Sequence, residues 1–213
     1  MYIIGVTGGV GAGKSEVLRY LEEAYGARII KLDDVARALQ EVGGACYDGM
    51  RELFGEGAVL PDGSMDRAAI AKRVFADADL KEKLNTLIHP AVKEETGRLI
   101  RSAQSEGCAL LVLEAALLIE EHYDAFTDEM WYIYADEATR YSRLIESRGY
   151  SRERIRNMMK SQLTEEQFRA ASQTVIDNSG SFAETKKQID ARIGEIAPAA
   201  GRSSACPDQR GVL

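Results

Sequence analysis

Histidine and cysteine are scarce in this 213-residue chain. The two histidines, His89 and His122, are too few and too scattered for a zinc site. The three cysteines, Cys46, Cys108 and Cys206, are odd in number and fit no metal or redox spacing, so they read as reduced structural thiols. No apolar run approaches the roughly 20 residues of a membrane-spanning helix. The start, Met1-Tyr2-Ile3-Ile4-Gly5-Val6, lacks the basic flank and long apolar stretch of a signal peptide. These absences predict a soluble, cytoplasmic protein with no membrane partner. Positive charge is also in deficit, with a formal net charge of −7. A broad basic surface, and with it a nucleic-acid partner, is not expected. A local basic cluster does stand at 140–156. Internal repeats are absent.

What remains is an ordinary globular composition, 45% apolar and 29% charged, in a chain long enough for one domain with inserted subdomains. Tyr2–Thr7 is an apolar, β-branched run that meets Gly8-Gly9 at once, the pattern of a buried strand ending in a glycine turn. Lys14–Tyr25 carries Val17, Leu18 and Leu21 on one helical face, Gly26 closes it, and Ala27–Ile30 begins a second strand. Strand, glycine turn, helix and strand make a βαβ unit and predict an α/β fold with a parallel sheet. Helices are predicted at 33–42, 47–54, 66–75, 79–87 and 90–103, with His89-Pro90 separating the last two. So long a helical stretch suggests an inserted substrate-binding subdomain. Buried strands are predicted at 109–113 and 130–134, and a short one at 174–176. A helix over 137–148 presents Tyr141, Leu144 and Ile145 inward and breaks at Gly149-Tyr150-Ser151. Further helices follow at 152–163 and 164–171. Thr164 with Gln167, and Ser181 with Glu184, have capping-box spacing, the latter opening a helix to about Ile196. From 197 to 213 the composition turns to Ala, Gly, Ser, Arg and Pro without apolar periodicity, which predicts a disordered tail.

The strongest single signal is Gly8-Gly9-Val10-Gly11-Ala12-Gly13-Lys14-Ser15, which matches G-x-x-x-x-G-K-[ST] between a strand and a helix. Glycines let the backbone close around phosphate oxygens. Main-chain N–H groups and the helix N-terminus supply donors and positive partial charge. In such a loop Lys14 reaches the β- and γ-phosphates and the Ser15 hydroxyl ligates Mg²⁺. The motif announces a nucleoside triphosphate without choosing between kinase, ATPase and GTPase.

Three features bear on that choice. Asp33 follows the second strand, at the sheet edge where open α/β folds hold ligands. A carboxylate there can take the proton of an attacking hydroxyl, but Asp33 or Asp34 is equally a helix N-cap. Arg140, Arg143, Arg148, Arg152, Arg154 and Arg156 form a set able to stabilise a transferring phosphoryl group on a closing segment, or simply a solvated basic face. The guanine-reading N-K-x-D motif is absent, which speaks against a GTPase of the usual kind.

With these residues in view, the chain from Met1 to about Ile196 resembles the dephospho-CoA kinase family. VTGGVGAGKS at 6–15 is similar to the family's T-G-G-[IV]-G-x-G-K-S, and LDDVAR at 32–37 to its D-A-D-x-[IV]-A-R, with Asp33 on the second aspartate. DGSMDRAAIAKRVF at 62–75, LNTLIHP at 84–90, LLIE at 117–120 and VIDNSG at 175–180 resemble further family segments in the same order. The resemblance implies a P-loop NTPase three-layer fold with a five-stranded parallel sheet, a helical CoA subdomain within about 33–105 and a lid at about 139–163. It implies that Mg-ATP phosphorylates the 3′-hydroxyl of the dephospho-CoA ribose. A monomer or small homo-oligomer is expected. Carried over by position, Gly9, Gly11, Ala12, Gly13, Lys14, Ser15 and Glu16 bind the nucleotide, and Ser15 the metal. Asp33 becomes the base, and Arg143 and Arg148 the lid arginines. Arg67 and His89 fall on the substrate side, although His89 before Pro90 also suits the residue that opens a helix. Departures are Glu16 for a threonine, Lys31 for the first aspartate and Ala116 for a proline. Glu114, after an apolar strand, is a candidate Walker B-type carboxylate where an aspartate is more usual.

Overall fold

The computed structural model describes residues 1–200, with side chains described through 196. The described residues divide into two compact units, one holding 1–30 and 102–200, the other Lys31–Arg101.

The first unit is built on a five-stranded sheet of β1 (Tyr2–Thr7), β2 (Arg28–Lys31), β3 (Leu110–Glu114), β4 (Glu129–Tyr134) and β5 (Thr174–Asp177). The spatial order is β2-β3-β1-β4-β5, and the sheet is parallel. Because β1 is central and the chain crosses to both sides of it, the carboxyl end of β1 is a topological switch point, where ligands of open α/β sheets bind. Register fixes its neighbours there: Val6 stands opposite Glu114 on β3, and Thr7 opposite Tyr132 on β4. Helix α1 (Lys14–Tyr25) buries Val17, Leu18 and Leu21 and ends on Gly26. These side chains join Ile4, Val6, Val112, Trp131, Ile133, Ile176 and Ile189 in one core. Each aliphatic side chain fully buried there stabilises the fold by about 1.5–3 kcal/mol relative to exposure.

The second unit contains α2 (Leu32–Leu39), α3 (Tyr47–Phe54), α4 (Arg67–Ala76) and most of α5 (Ala78–Ser105). Between α3 and α4 a short 3-10 turn at Glu56–Ala58 and an antiparallel bridge from Val59 to Met65 order the glycine-rich loop. Asp66 caps α4 by accepting from the Ala69 N–H at 2.9 Å.

Several sequence expectations are corrected. The helices expected at 79–87 and 90–103 are one helix, α5, with Pro90 inside it. Proline removes one N–H and crowds the carbonyl four residues back, which costs about 3 kcal/mol in a helix interior, but the many turns on either side carry the helix through. Helix α6 (Glu137–Arg148) buries only Leu144 of the expected stripe; Tyr141 is half-buried and Ile145 is 37% exposed. Helix α7 (Arg152–Lys160) stops short of Leu163, before α8 (Glu165–Ala170), whose Thr164–Gln167 capping box is complete. At α9 (Phe182–Ala200) the box is half-formed: Ser181 donates its N–H and hydroxyl to the Glu184 carboxylate, while the Glu184 N–H goes to the Ser181 carbonyl. Of the tail expected to be disordered at 197–213, the backbone at 197–200 continues α9, and 201–213 lies outside the described residues.

One buried charge knits the unit's far edge. Glu129, 3% exposed at the start of β4, accepts hydrogen bonds from the Tyr2 hydroxyl, the Thr174 hydroxyl and both Nε and Nη2 of Arg192 on α9, the last two at 2.9 and 2.8 Å. Burial acts to raise the Glu129 pKa, but the bonds from Arg192, Thr174 and Tyr2 outweigh it and hold the carboxyl below its ordinary value. A carboxyl so depressed contributes stability above its unfolded pKa of about 4.3 and loses it as pH falls toward the folded value. Arg192→Met leaves that carboxylate buried without its cation, and urea unfolding at pH 7 is expected to show a loss of about 3–5 kcal/mol. The deficit of Glu129→Gln relative to the parent is expected to shrink below about pH 4; a deficit that stays constant from neutral to acid pH contradicts the assignment.

Candidate active site

Between the end of β1 at Thr7 and the start of α1 at Lys14 runs the loop Gly8–Gly13. Gly13 is the residue before α1, at φ 88°, and no side chain caps the helix. A side chain at Gly13 meets two obstacles, the left-handed backbone and the Asn178 amide nitrogen, which lies 2.3 Å from where a Cβ would sit. At Gly9 a Cβ would come within 2.4 Å of the Arg140 guanidinium. The loop is therefore packed by Arg140 and Asn178, and it leads into an uncapped helix N-terminus, whose positive partial charge favours an anion.

Side chains hold alternate carbonyls of this loop. Lys14 Nζ donates to the Gly8 carbonyl at 2.8 Å, and Arg140 Nε to the Val10 carbonyl at 2.8 Å. The Ala12 carbonyl accepts from Asn178 Nδ2 at 2.8 Å and from Arg143 Nη1 at 3.3 Å. The Val10 N–H donates to Gln162 Oε1 at 3.0 Å, and Arg140 Nη2 reaches the same oxygen at 3.2 Å. Asn178 is fully buried; its Oδ1 accepts from the Thr185 hydroxyl at 2.9 Å and its N–H donates to the Tyr134 carbonyl at 2.7 Å. Arg143 Nη2 donates to the Asn178 carbonyl at 2.8 Å. Burial pushes the Arg140 guanidinium below its ordinary pKa, but an arginine remains charged at neutral pH. Two cations thus lie against the loop in partial burial, where their field is weakly screened. Thr7, at the root of the loop, is fully buried with no hydrogen-bond partner for its hydroxyl among the described residues.

Ser15, exposed in the first turn of α1, is followed by the half-buried Glu16, which pairs with Arg19 at 3.9 Å. Among the described residues no group of three or more His, Cys, Asp or Glu side chains can hold a metal. A cation at this site would depend on the Ser15 hydroxyl, ligand phosphates and water, a donor set that suits Mg²⁺. Glu114 closes β3 beside the strand that feeds the loop.

Of the residues expected from the sequence, Gly9, Gly11, Ala12, Gly13, Lys14, Ser15 and Arg143 come together here. Arg148 does not join them: it closes α6 and lies over the Tyr150 ring, 6.0 Å from its centroid, with Arg154 on the same ring at 3.8 Å. Hydrogen bonding to Arg148, with the Arg154 charge, lowers the Tyr150 hydroxyl pKa. In the second unit Asp33 is exposed in the first turn of α2. The N-cap of that helix is Lys31, so neither Asp33 nor Asp34 serves as the cap, and Asp34 faces Arg37 at 3.7 Å. Arg67 donates to the Arg37 carbonyl at 3.3 Å and pairs with Glu41 at 2.7 Å, docking on the carboxyl-terminal end of α2. His89 lies half-buried inside α5 and opens no helix. Sequence reasoning missed Gln162 and Thr185, held Arg140 only as one of a set, and held Asn178 only as a letter within VIDNSG. Gln162 carries no periodicity or motif that marks it.

Comparison with known proteins gives the family. A family model described as dephospho-CoA kinase matches residues 2–184. The chain is 36% identical over 196 residues to a dephospho-CoA kinase of Geobacter sulfurreducens, covering 92% of this chain and 97% of that one. It is 36% identical over 191 residues to another from Symbiobacterium thermophilum, covering 90% and 80%. A solved dephospho-CoA kinase from Campylobacter jejuni superposes with a TM-score of 0.70 over 93% of this chain and 98% of that one, at 20% identity, a likeness of fold. A loop built for phosphate and a family match that runs through it, across most of the length, lead to one conclusion: the chain belongs to the dephospho-CoA kinase family.

Proposed function

We propose that the protein transfers the γ-phosphoryl group of ATP to the 3′-hydroxyl of the dephospho-CoA ribose, giving CoA and ADP, in the cytoplasm. The observation that carries this reading is the family match over residues 2–184, which takes in both the phosphate loop and Asp33. The loop N–H groups and Lys14 hold the β- and γ-phosphates. Bound Mg²⁺, held through Ser15, supplies charge neutralisation on the transferring phosphoryl group. Glu114, at the end of β3, would be the Walker B-type carboxylate for that cation. Asp33 takes the hydroxyl proton, and its exposed, uncapped position suits a group that must meet an incoming substrate. Arg143 offsets negative charge that grows in the transition state, and Arg148, which lies over Tyr150 in this structure, would share that role on closure of the lid. Arg67, His89 and the helical segment of the second unit bind the CoA portion, and the α6–α8 region serves as the lid.

The deciding assay supplies Mg-ATP with dephospho-CoA, adenosine or AMP and identifies the product by mass. CoA is expected as the major product; phosphorylation of AMP or adenosine in preference, or ATP hydrolysis without an acceptor product, refutes the reading. Asp33→Asn is expected to lower kcat about 10²- to 10⁴-fold while ATP still binds, and a variant within a few-fold of the parent removes Asp33 as the base. Arg143→Ala is expected to lower kcat/KM about 100- to 1,000-fold, read by the same assay. Chelation of Mg²⁺ with EDTA is expected to stop transfer, with recovery on adding back excess Mg²⁺; transfer that continues after chelation contradicts the Mg²⁺ requirement.

A further inference from the structure

Val10 is the loop residue whose two main-chain polar groups are both taken by distant side chains. Its N–H goes to Gln162 and its carbonyl to Arg140, and Arg140 also donates to Gln162, closing a ring of three hydrogen bonds. Two peptide planes meet at Val10: its N–H lies in the Gly9–Val10 peptide and its carbonyl in the Val10–Gly11 peptide, and rotation of the second would turn that carbonyl, a negative dipole end, toward the space an anion needs. Arg140 opposes that rotation directly by donating to the carbonyl, while Gln162 Oε1 holds the first peptide by its N–H and holds the Arg140 guanidinium in place. Gln162 is itself anchored: its N–H donates to the Met159 carbonyl at 3.2 Å, and the Thr164–Gln167 capping box fixes the chain just beyond it. Its amide reaches the loop across 152 positions of sequence from a short, tightly braced connection between α7 and α8. Arg140 is confined on its other side, where its guanidinium fills the space that any side chain at Gly9 would need.

We infer that Gln162 is a positioning residue for the nucleotide: with Arg140 it sets the orientation of the two peptides that meet at Val10, and so the affinity of the loop for the ATP phosphates. The inference rests on the reading of this loop as the ATP site. It concerns the first substrate alone, because neither side chain belongs to the unit that carries Arg67 and His89.

The test pairs equilibrium binding of a fluorescent ATP analogue with steady-state kinetics for both substrates. Gln162→Met keeps length and packing but removes the acceptor. It is expected to raise the Kd for the analogue and the KM for ATP about 5- to 10-fold, because the freed loop must be ordered on binding, with the KM for dephospho-CoA close to the parent and the melting midpoint lowered only by what one or two hydrogen bonds carry. Arg140→Lys keeps the charge but not the forked geometry, and a shift in the same direction is expected. Unchanged ATP binding in Gln162→Met overturns the inference. So does a fall in melting midpoint with equal losses for both substrates, which marks a structural role. If the parent binds the analogue but forms no CoA, the proposed reaction fails while the binding comparison still decides the role of Gln162.

Discussion

A loop that is to hold an anion must keep its own carbonyl oxygens out of the way. Each peptide presents a donor on one side and an acceptor on the other, so a tight turn that points N–H groups inward has to find partners for oxygens on its outer face. Here the carbonyls of Gly8, Val10 and Ala12 go to Lys14, Arg140 and the pair Asn178 and Arg143. The donors come from α1, from α6 and from the segment after β5, so the cradle is formed only when the sheet has brought β1, β4 and β5 side by side. The parallel topology is thus a requirement of the chemistry: the carboxyl ends of these strands, with their following segments, must lie along one edge.

That dependence explains the glycines. Gly9 and Gly13 are pressed against the side chains that hold the loop, Arg140 and Asn178. A methyl at either place displaces a donor, and a displaced donor frees a carbonyl. Steric room and electrostatics are in this sense one constraint.

Much of the arrangement was legible in the sequence wherever the cause is local. The bounds of β1 and α1 follow from an apolar run, a glycine turn and a helical stripe, and the structure repeats them residue for residue. Tyr47–Phe54 and Glu137–Arg148 are equally clear, because glycine or Asp caps end the patterns. Where tertiary contacts decide, the pattern misleads. Pro90 reads as a break, yet packing of a long helix overrides one missing hydrogen bond. Ile145 reads as inward from its spacing and stands at the surface, since α6 is narrow in what it buries. The latch of Gln162 and Arg140 on Val10 is invisible in sequence: it joins residues more than a hundred positions apart and depends on which rotamers a folded sheet permits.

Asn178 shows how such a design ages. It is an amide followed by Ser179, and side-chain amides hydrolyse to carboxylates over a protein's lifetime. Conversion to aspartate would replace the Nδ2 donor by an oxygen facing the Ala12 carbonyl, two negative atoms at the 2.8 Å now spanned by a hydrogen bond. The enclosure of this residue, with Thr185 on one oxygen and Tyr134 on its N–H, keeps water and backbone mobility from it. How long the loop keeps its shape then depends on the enclosure of an amide that touches it directly.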